Sequence, residues 1–299
     1  MATNILPENV GQRDCVVQDD LLIGPLLAPA NSAKHLGAGS IHDDATARKL
    51  GFRGGTVAGS LHMEQFPPLG MRIFGDRWWN TGGLSLYFRY ATADLEPVRC
   101  FAKLNSEAAN APVGRVNVWM EDDADHLVAE GTMNIGGADA DSPLRRRIAD
   151  TPTPTDLRIL EHVKVGATSE AMTTSIDRKT LDQRLEVITE PLDVYKATPA
   201  CLPPSLVVRI MRPAESKILP RHKDTGVGLF GAIEVQHING PVYADQDYTT
   251  TCQVLAVSET PKTEYLWYES KLNDAAGVEV AHMLMMLRFM KASSALWKD

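Results

Sequence analysis

The chain has 299 residues, a formal charge of −8, 44% hydrophobic and 23% charged residues. That composition supplies apolar material for one large core or two ordinary ones, and it excludes a disordered chain. The acidic balance argues against a nucleic-acid binder, which would present a basic face. No apolar run reaches the ~20 residues of a membrane span; the richest, Met283 to Met290, is interrupted by Arg288. The opening stretch MATNILPENVGQRDC lacks a basic segment followed by an apolar one, and Cys15, Cys100, Cys201 and Cys252 lie far apart with no CxxC pair. A reducing, cytoplasmic setting is therefore expected, with no metal site and no disulfide framework.

In chain order, an irregular lead-in runs to KHLGAGSIHDDATARKLGFRGGTVAGSLHMEQF, residues 34–66. Gly37 to Ser40 read as a flexible loop that delivers His42. Asp43 or Asp44 can cap a short helix running to Lys49 or Leu50, and Gly51 suits the left-handed residue just past its end. Phe52 reads as a buried anchor, and Gly54 and Gly55 allow a close backbone approach. A long helix is expected from Val57 to Phe74, kinked or broken at Pro67-Pro68. Strand-like runs follow, with period-two alternation in Val116, Val118 and Met120. Residues 137–156, rich in Gly, Pro, Asp and Arg, read as a linker.

Beyond it the order of elements recurs: CLPPSLVVRIM for the helix, then strands with alternation in Leu266 and Tyr268. We match Pro97-Val98 to Pro241-Val242, Trp119 to Trp267, and Val128-Ala129 to Val280-Ala281. DDAD and NDAAG supply hairpin turns. The expectation is an α+β chain of two tandem halves, residues 1–140 and 157–299 around a linker at 141–156. Each half is a curved antiparallel sheet wrapped around one helix, which hides the concave apolar face.

The segment Ser40-Ile41-His42, Asp44, Ala47, Gly51-Phe52, Gly54 and Gly59 resembles the motif of the MaoC-like, R-specific enoyl-CoA hydratases and dehydratases, including their tandem, double hotdog members. The resemblance implies a hydro-lyase acting on an acyl thioester, with His42 as acid/base and the backbone around Gly54, Gly55 and Gly59 as donor to the thioester oxygen. It implies no cofactor beyond the coenzyme A of the substrate, and a homodimer. The family places its catalytic Asp five residues before the His, where this chain has Gly37. Asp43, Asp44 or Glu64 could take over, the reaction could need only one protic group, or the catalytic role could be lost. Two other readings stay open: a non-catalytic acyl-binding or partner subunit, and a thioesterase using Glu64.

The second half has TEPLDVYKATPACLPPSL in place of the motif, with no His, so the first half is expected to carry any chemistry and the second to bind an acyl tail or to support it. Arg53, His62, Trp78 and Trp79 are candidate substrate-binding residues, with core packing the competing role for His62 and both tryptophans. Arg209, Arg212, Lys217, Arg221, His222 and Lys223 form a basic stretch that could meet coenzyme A phosphates or simply face solvent.

Overall fold

The computed structural model describes residues 15–33, 39–219 and 225–298. Their strands are β1 Val16–Gln18, β2 Leu21–Leu27, β3 Gly83–Phe88, β4 Val98–Lys103, β5 Gly114–Asp122, β6 Leu127–Ile135, β7 Met172–Thr174, β8 Gly228–His237, β9 Tyr248–Glu259, β10 Thr263–Asn273 and β11 Glu279–Met290. They join one antiparallel sheet in the order β1-β2-β4-β5-β6-β3-β8-β11-β10-β9-β7. At its centre β3 pairs with β8, Leu84 opposite Val235 and Leu86 opposite Ile233, so the two runs of strands meet edge to edge and close one another's open edge. The period-two pattern decides which face is wet: in β5, Val116, Val118 and Met120 are buried while Arg115 and Asn117 are exposed.

The helices are α1 Asp44–Lys49, α2 Gly59–His62, α3 Pro67–Phe74, α4 Arg77–Thr81, α5 Ser106–Asn110, α6 Pro143–Ala149, α7 Arg178–Leu185, α8 Pro204–Met211 and α9 Glu215–Ile218. The helix expected over 57–74 begins at Gly59, passes through a 3-10 turn at Met63–Gln65 and restarts at Pro67 as α3. A proline ring clashes with the preceding turn and removes a donor, so the break falls where the two prolines sit. In the second half α8 opens with Pro204 at its first position, where a missing N–H costs nothing. It buries Leu206, Val207, Val208, Ile210 and Met211, and α2 packs against it. The stretch read as a linker contains α6, capped by the Ser142 hydroxyl on the Arg145 amide. Leu144 of α6 is buried with Trp267 and Met286 on the outer face of the sheet.

Hydrogen bonds define the repeat residue by residue. The Val57 amide donates to the Thr92 carbonyl, and the Leu202 amide to the Val242 carbonyl. Isolated bridges join Thr56 to Ala93 and Cys201 to Tyr243, and Leu95 and Asp245 both take positive φ, at 60° and 58°. Pro241-Val242 therefore corresponds to Ala91-Thr92, not to Pro97-Val98. Trp119 pairs with Phe101 and Glu130, whereas Trp267 pairs with Ala256 and Met286; the residue in the place of Trp119 is Lys271, between Thr251 and His282. Both mismatches matched residue type across loops of unequal length. Val128-Ala129 does coincide with Val280-Ala281, since Ala129 faces Met120 and Ala281 faces Leu272. The hairpin turns match as well: Asp122 Oδ1 accepts from the Ala124 and His126 amides, and Asp274 Oδ1 from those of Ala276 and Val278.

Candidate active site

His42 lies between Ile41, whose carbonyl accepts from the Thr56 amide at 2.9 Å, and the start of α1. Its own carbonyl accepts from Asn31 Nδ2 at 2.8 Å. The ring is half-buried, and Nδ1 lies 2.7 Å from the Thr56 carbonyl oxygen. A carbonyl only accepts, so Nδ1 carries the proton and Nε2 keeps its lone pair. Burial lowers the imidazole's pKa from its ordinary 6.5 against the opposing pull of the Thr56 carbonyl. The ring is thus a neutral base with one nitrogen fixed and the other free to act.

The chain around it folds as its residues dictate. Asp43 caps α1, its carboxylate accepting from the Thr46 amide and hydroxyl, both at 2.8 Å, and these bonds hold it ionised below the ordinary carboxylate range. Gly51 takes φ 87° just past the helix, with the Phe52 amide returning to the Ala47 carbonyl at 3.0 Å. Phe52 is half-buried rather than a fully buried anchor. Asp44 accepts from the Gly55 amide at 2.6 Å. A side chain on Gly55 would collide with the His42 carbonyl oxygen, so the glycine is what lets this strand of backbone run beside the histidine.

These bonds sort the candidates. Asp43 and Asp44 both spend an oxygen on local backbone, one as cap and one as clasp. The Gly55 amide is consumed by Asp44, whereas Gly59 and Ser60 open α2 without a side-chain cap, leaving first-turn amides that have no partner within the helix. Arg53 is exposed and paired with Glu96 at 2.5 and 2.7 Å, with its guanidinium over Tyr90. His62 is buried, Nε2 lies 2.8 Å from the Thr92 hydroxyl, and burial pushes its pKa down to about 4. Trp78 and Trp79 are fully packed in the core, ring centroids 4.9 Å apart and edge to face. Their indole nitrogens donate to the Gly83 carbonyl and the Met71 sulfur, so the structure gives both rings to packing. Arg212 is held bidentate by Glu215, 2.8 Å on each nitrogen. Gly37, Arg221, His222 and Lys223 lie outside the described residues.

Glu64 sits elsewhere. It is buried against Ser205 at the start of α8, accepting from the serine hydroxyl. Burial raises its pKa to about 7, with Arg184 and Ser205 pulling the other way. The equivalent of His42 in the second half is Tyr195: the Thr56 amide reaches the carbonyl before His42, and the Cys201 amide reaches the carbonyl of Val194, just before Tyr195. Burial pushes the Tyr195 hydroxyl well above its ordinary range, and the Glu64 carboxylate adds to that shift. The serine bond thus ties Glu64 to the second half of the chain.

Asn31, Thr56 and Thr92 were invisible in the sequence because each acts through a backbone or hydroxyl bond to a residue many positions away. Two surface hollows, of about 360 and 350 Å3, lie away from His42, one beside Thr174, Asp177 and Arg209 and the other beside Arg115 and Asn134. Among the described residues no group of His, Cys, Asp or Glu is arranged to hold a metal, none of the four cysteines is in a disulfide, and no helix is long and apolar enough to cross a membrane.

No family model matches the sequence, and no curated protein matches it. Solved structures do. A Chloroflexus aurantiacus chain assigned as a MaoC domain dehydratase is 12% identical, with a TM-score of 0.60 over 89% of this chain and 95% of its own. A Mycobacterium tuberculosis protein described as having a double hotdog fold is 14% identical, with a TM-score of 0.55 over 89% and 94%. At that identity the likeness is one of architecture, and this chain is an α+β double hotdog, folded as MaoC-like dehydratase structures are.

Proposed function

We propose that the chain adds water to, or removes it from, the α,β position of an acyl thioester of coenzyme A, with His42 as the acid/base. The observation that carries this reading is the 2.7 Å bond from His42 Nδ1–H to the Thr56 carbonyl, which leaves Nε2 unprotonated in a ring that burial keeps neutral. In the hydration direction Nε2 takes a proton from water as the oxygen bonds to the β carbon. The imidazolium then returns that proton to the α carbon, so one water is added and nothing else changes. Negative charge gathers on the thioester oxygen between those steps, and the first amides of α2, at Gly59 and Ser60, are the donors that remain for it. With Asp43 and Asp44 bound to backbone, one imidazole carries the proton both ways. Positioned proton transfer of this kind contributes roughly 10²–10⁴-fold. The fold's likeness to a MaoC domain dehydratase structure is consistent with this chemistry.

The test is to incubate the full chain with crotonyl-CoA and longer enoyl-CoA and follow loss of the conjugated thioester absorbance. A decline in wild type that disappears in His42→Ala supports the reading. Equal rates in both sink it. Binding without turnover in wild type would favour the acyl-binding subunit.

A further inference from the structure

Three stretches of backbone meet at Asn31. Its side chain is buried, with the residue 3% exposed, and both amide atoms are bonded: Nδ2 donates to the His42 carbonyl at 2.8 Å, and Oδ1 accepts from the Ala33 amide at 3.3 Å. A carbonyl only accepts and an N–H only donates, so these two partners fix which way the side-chain amide faces. The Asn31 backbone amide donates in turn to Asp94 Oδ1 at 2.6 Å, which anchors residue 31 to the turn between β3 and β4. The backbone at Gly55 closes the third side: a side chain there would lie 3.0 Å from Asn31 Nδ2.

This arrangement governs the histidine through its backbone. The peptide group before residue 42 is held at both atoms, the Ile41 carbonyl accepting from the Thr56 amide at 2.9 Å and the His42 amide donating to Ser40 Oγ at 3.2 Å. The peptide group after it is held at its oxygen by Asn31. With both peptide planes fixed, the ring is left with two side-chain dihedrals, and the bond from Nδ1 to the Thr56 carbonyl sets them. Without the Asn31 amide the second plane is released, and the ring is free to turn off Thr56.

The repeat separates what the fold needs from what is particular to this place. The Leu95 amide donates to the Pro29 carbonyl and the Asp245 amide to that of Ile176, so Asn31 and Arg178, each two residues further on, stand in equivalent positions. Both of their backbone amides donate to an aspartate of the facing turn, Asp94 and Asp245. The side chains diverge. Arg178 is half-buried and reaches Asp182 at 2.8 Å and the Ala197 carbonyl at 3.4 Å, two residues past Tyr195. Of the two halves, the first alone has a buried amide here that holds the carbonyl of the site residue itself.

We infer that Asn31, held by Asp94, is the positioning residue of His42, the group that keeps Nδ1–H on the Thr56 carbonyl and so keeps Nε2 unprotonated for proton transfer. This role rests on the acid/base reading of His42 and deepens it.

Two readouts on the full chain test it. The first needs no turnover: NMR of isotopically labelled histidine reports which ring nitrogen carries the proton, with the His42 signals identified by their loss in His42→Gln. Wild type shows Nδ1 protonated and Nε2 bare, whereas Asn31→Ala and Asn31→Asp show both tautomers. The second is hydration of crotonyl-CoA. Asn31→Ala lowers kcat by roughly 10²-fold with KM little changed. Asn31→Asp keeps the shape of the amide but puts a carboxylate beside residue 42. It lowers kcat as well and moves the acid limb of the rate profile to higher pH, because a negative charge favours the imidazolium. Asp94→Ala gives a smaller loss, and adding it to Asn31→Ala costs little more, since the two act in series. A merely structural asparagine would lower Tm and the active fraction while leaving the tautomer, the acid limb and kcat per folded molecule in place. That result overturns the inference, as does a wild-type ring protonated on Nε2. If wild type hydrates no enoyl-CoA, the proposed function fails while the tautomer still decides the role of Asn31. Thermal melts screen the variants for folding, and Asn31→Asp decides alone if Asn31→Ala unfolds.

Discussion

Ser205 gives its hydroxyl proton to the carboxylate of Glu64, a residue 141 positions earlier in the chain. The bond joins the 3-10 turn between α2 and α3 to the first turn of α8, and so joins the central helices of the two halves. It also has a consequence for stability. An acid whose pKa rises on folding holds its proton more tightly when folded, so stability is lost as pH climbs through the window between the two values. For Glu64 that window runs from 4.5 to about 7, and full ionisation removes about 3 kcal/mol. Denaturant melts between pH 5 and 8 should show stability declining with pH in wild type and a flatter profile in Glu64→Gln.

Two histidines impose the opposite slope. Burial pushes His62 and His237 down to about 4, so the unfolded chain binds their protons first. Stability is lost as pH falls from 6.5 toward 4. Replacing His62 by Gln should flatten the acid limb of the stability profile, and His62→Gln with His237→Gln should flatten it further. Thr92→Val removes the partner of His62 Nε2 and should cost roughly 1–3 kcal/mol with no change of slope direction.

Asp43 and Asp44 are distinguished by what they hold. Asp43→Ala deletes an N-cap and should cost about 0.5–2 kcal/mol, leaving hydration within a few-fold of wild type. Asp44→Ala frees the Gly55 amide beside the His42 carbonyl, so it should weaken hydration more than it lowers Tm. A loss of 10³-fold in Asp43→Ala with an unchanged melt would give that carboxylate a chemical role instead.

Much of this molecule could be read from its sequence. The cap and left-handed glycine around α1, the break at Pro67-Pro68 and the alternation of β5 all follow from local rules, in which the decisive residues are neighbours, whereas the double hotdog was legible through the recurring order of elements and the resemblance of one motif to MaoC-like enzymes. What escaped depends on distance. The Trp119–Trp267 match failed because identity of residue type is a weaker guide than ladder register. Trp78 and Trp79, legible as aromatic, could not be assigned to core or mouth without knowing which way α4 faces. Tyr195 shares no chemistry with His42, and only an amide bond in each half puts the two in the same place. Glu64 stood out as a helix-borne acid, but its partners Ser205 and Arg184 come from the other half.

The first turn of α2 fits closely against its sheet. A side chain on Gly59 would lie 2.7 Å from the Phe88 ring, nearer than carbon atoms approach, and Phe88 ends β3 with its backbone paired to Ala129. Gly59→Ala should therefore displace the first turn of α2, the turn whose amides remain for the thioester oxygen, and lower kcat by roughly 10²-fold or more if one such donor is misplaced. Phe88→Leu trims the obstacle. If the contact is the cause, Gly59→Ala combined with Phe88→Leu should recover part of the rate lost by Gly59→Ala alone, a coupling visible in a double-mutant cycle. Additive losses would mean that the glycine matters for another reason, such as the backbone angles at the start of α2, and the oxyanion role of that turn would lose its geometric support.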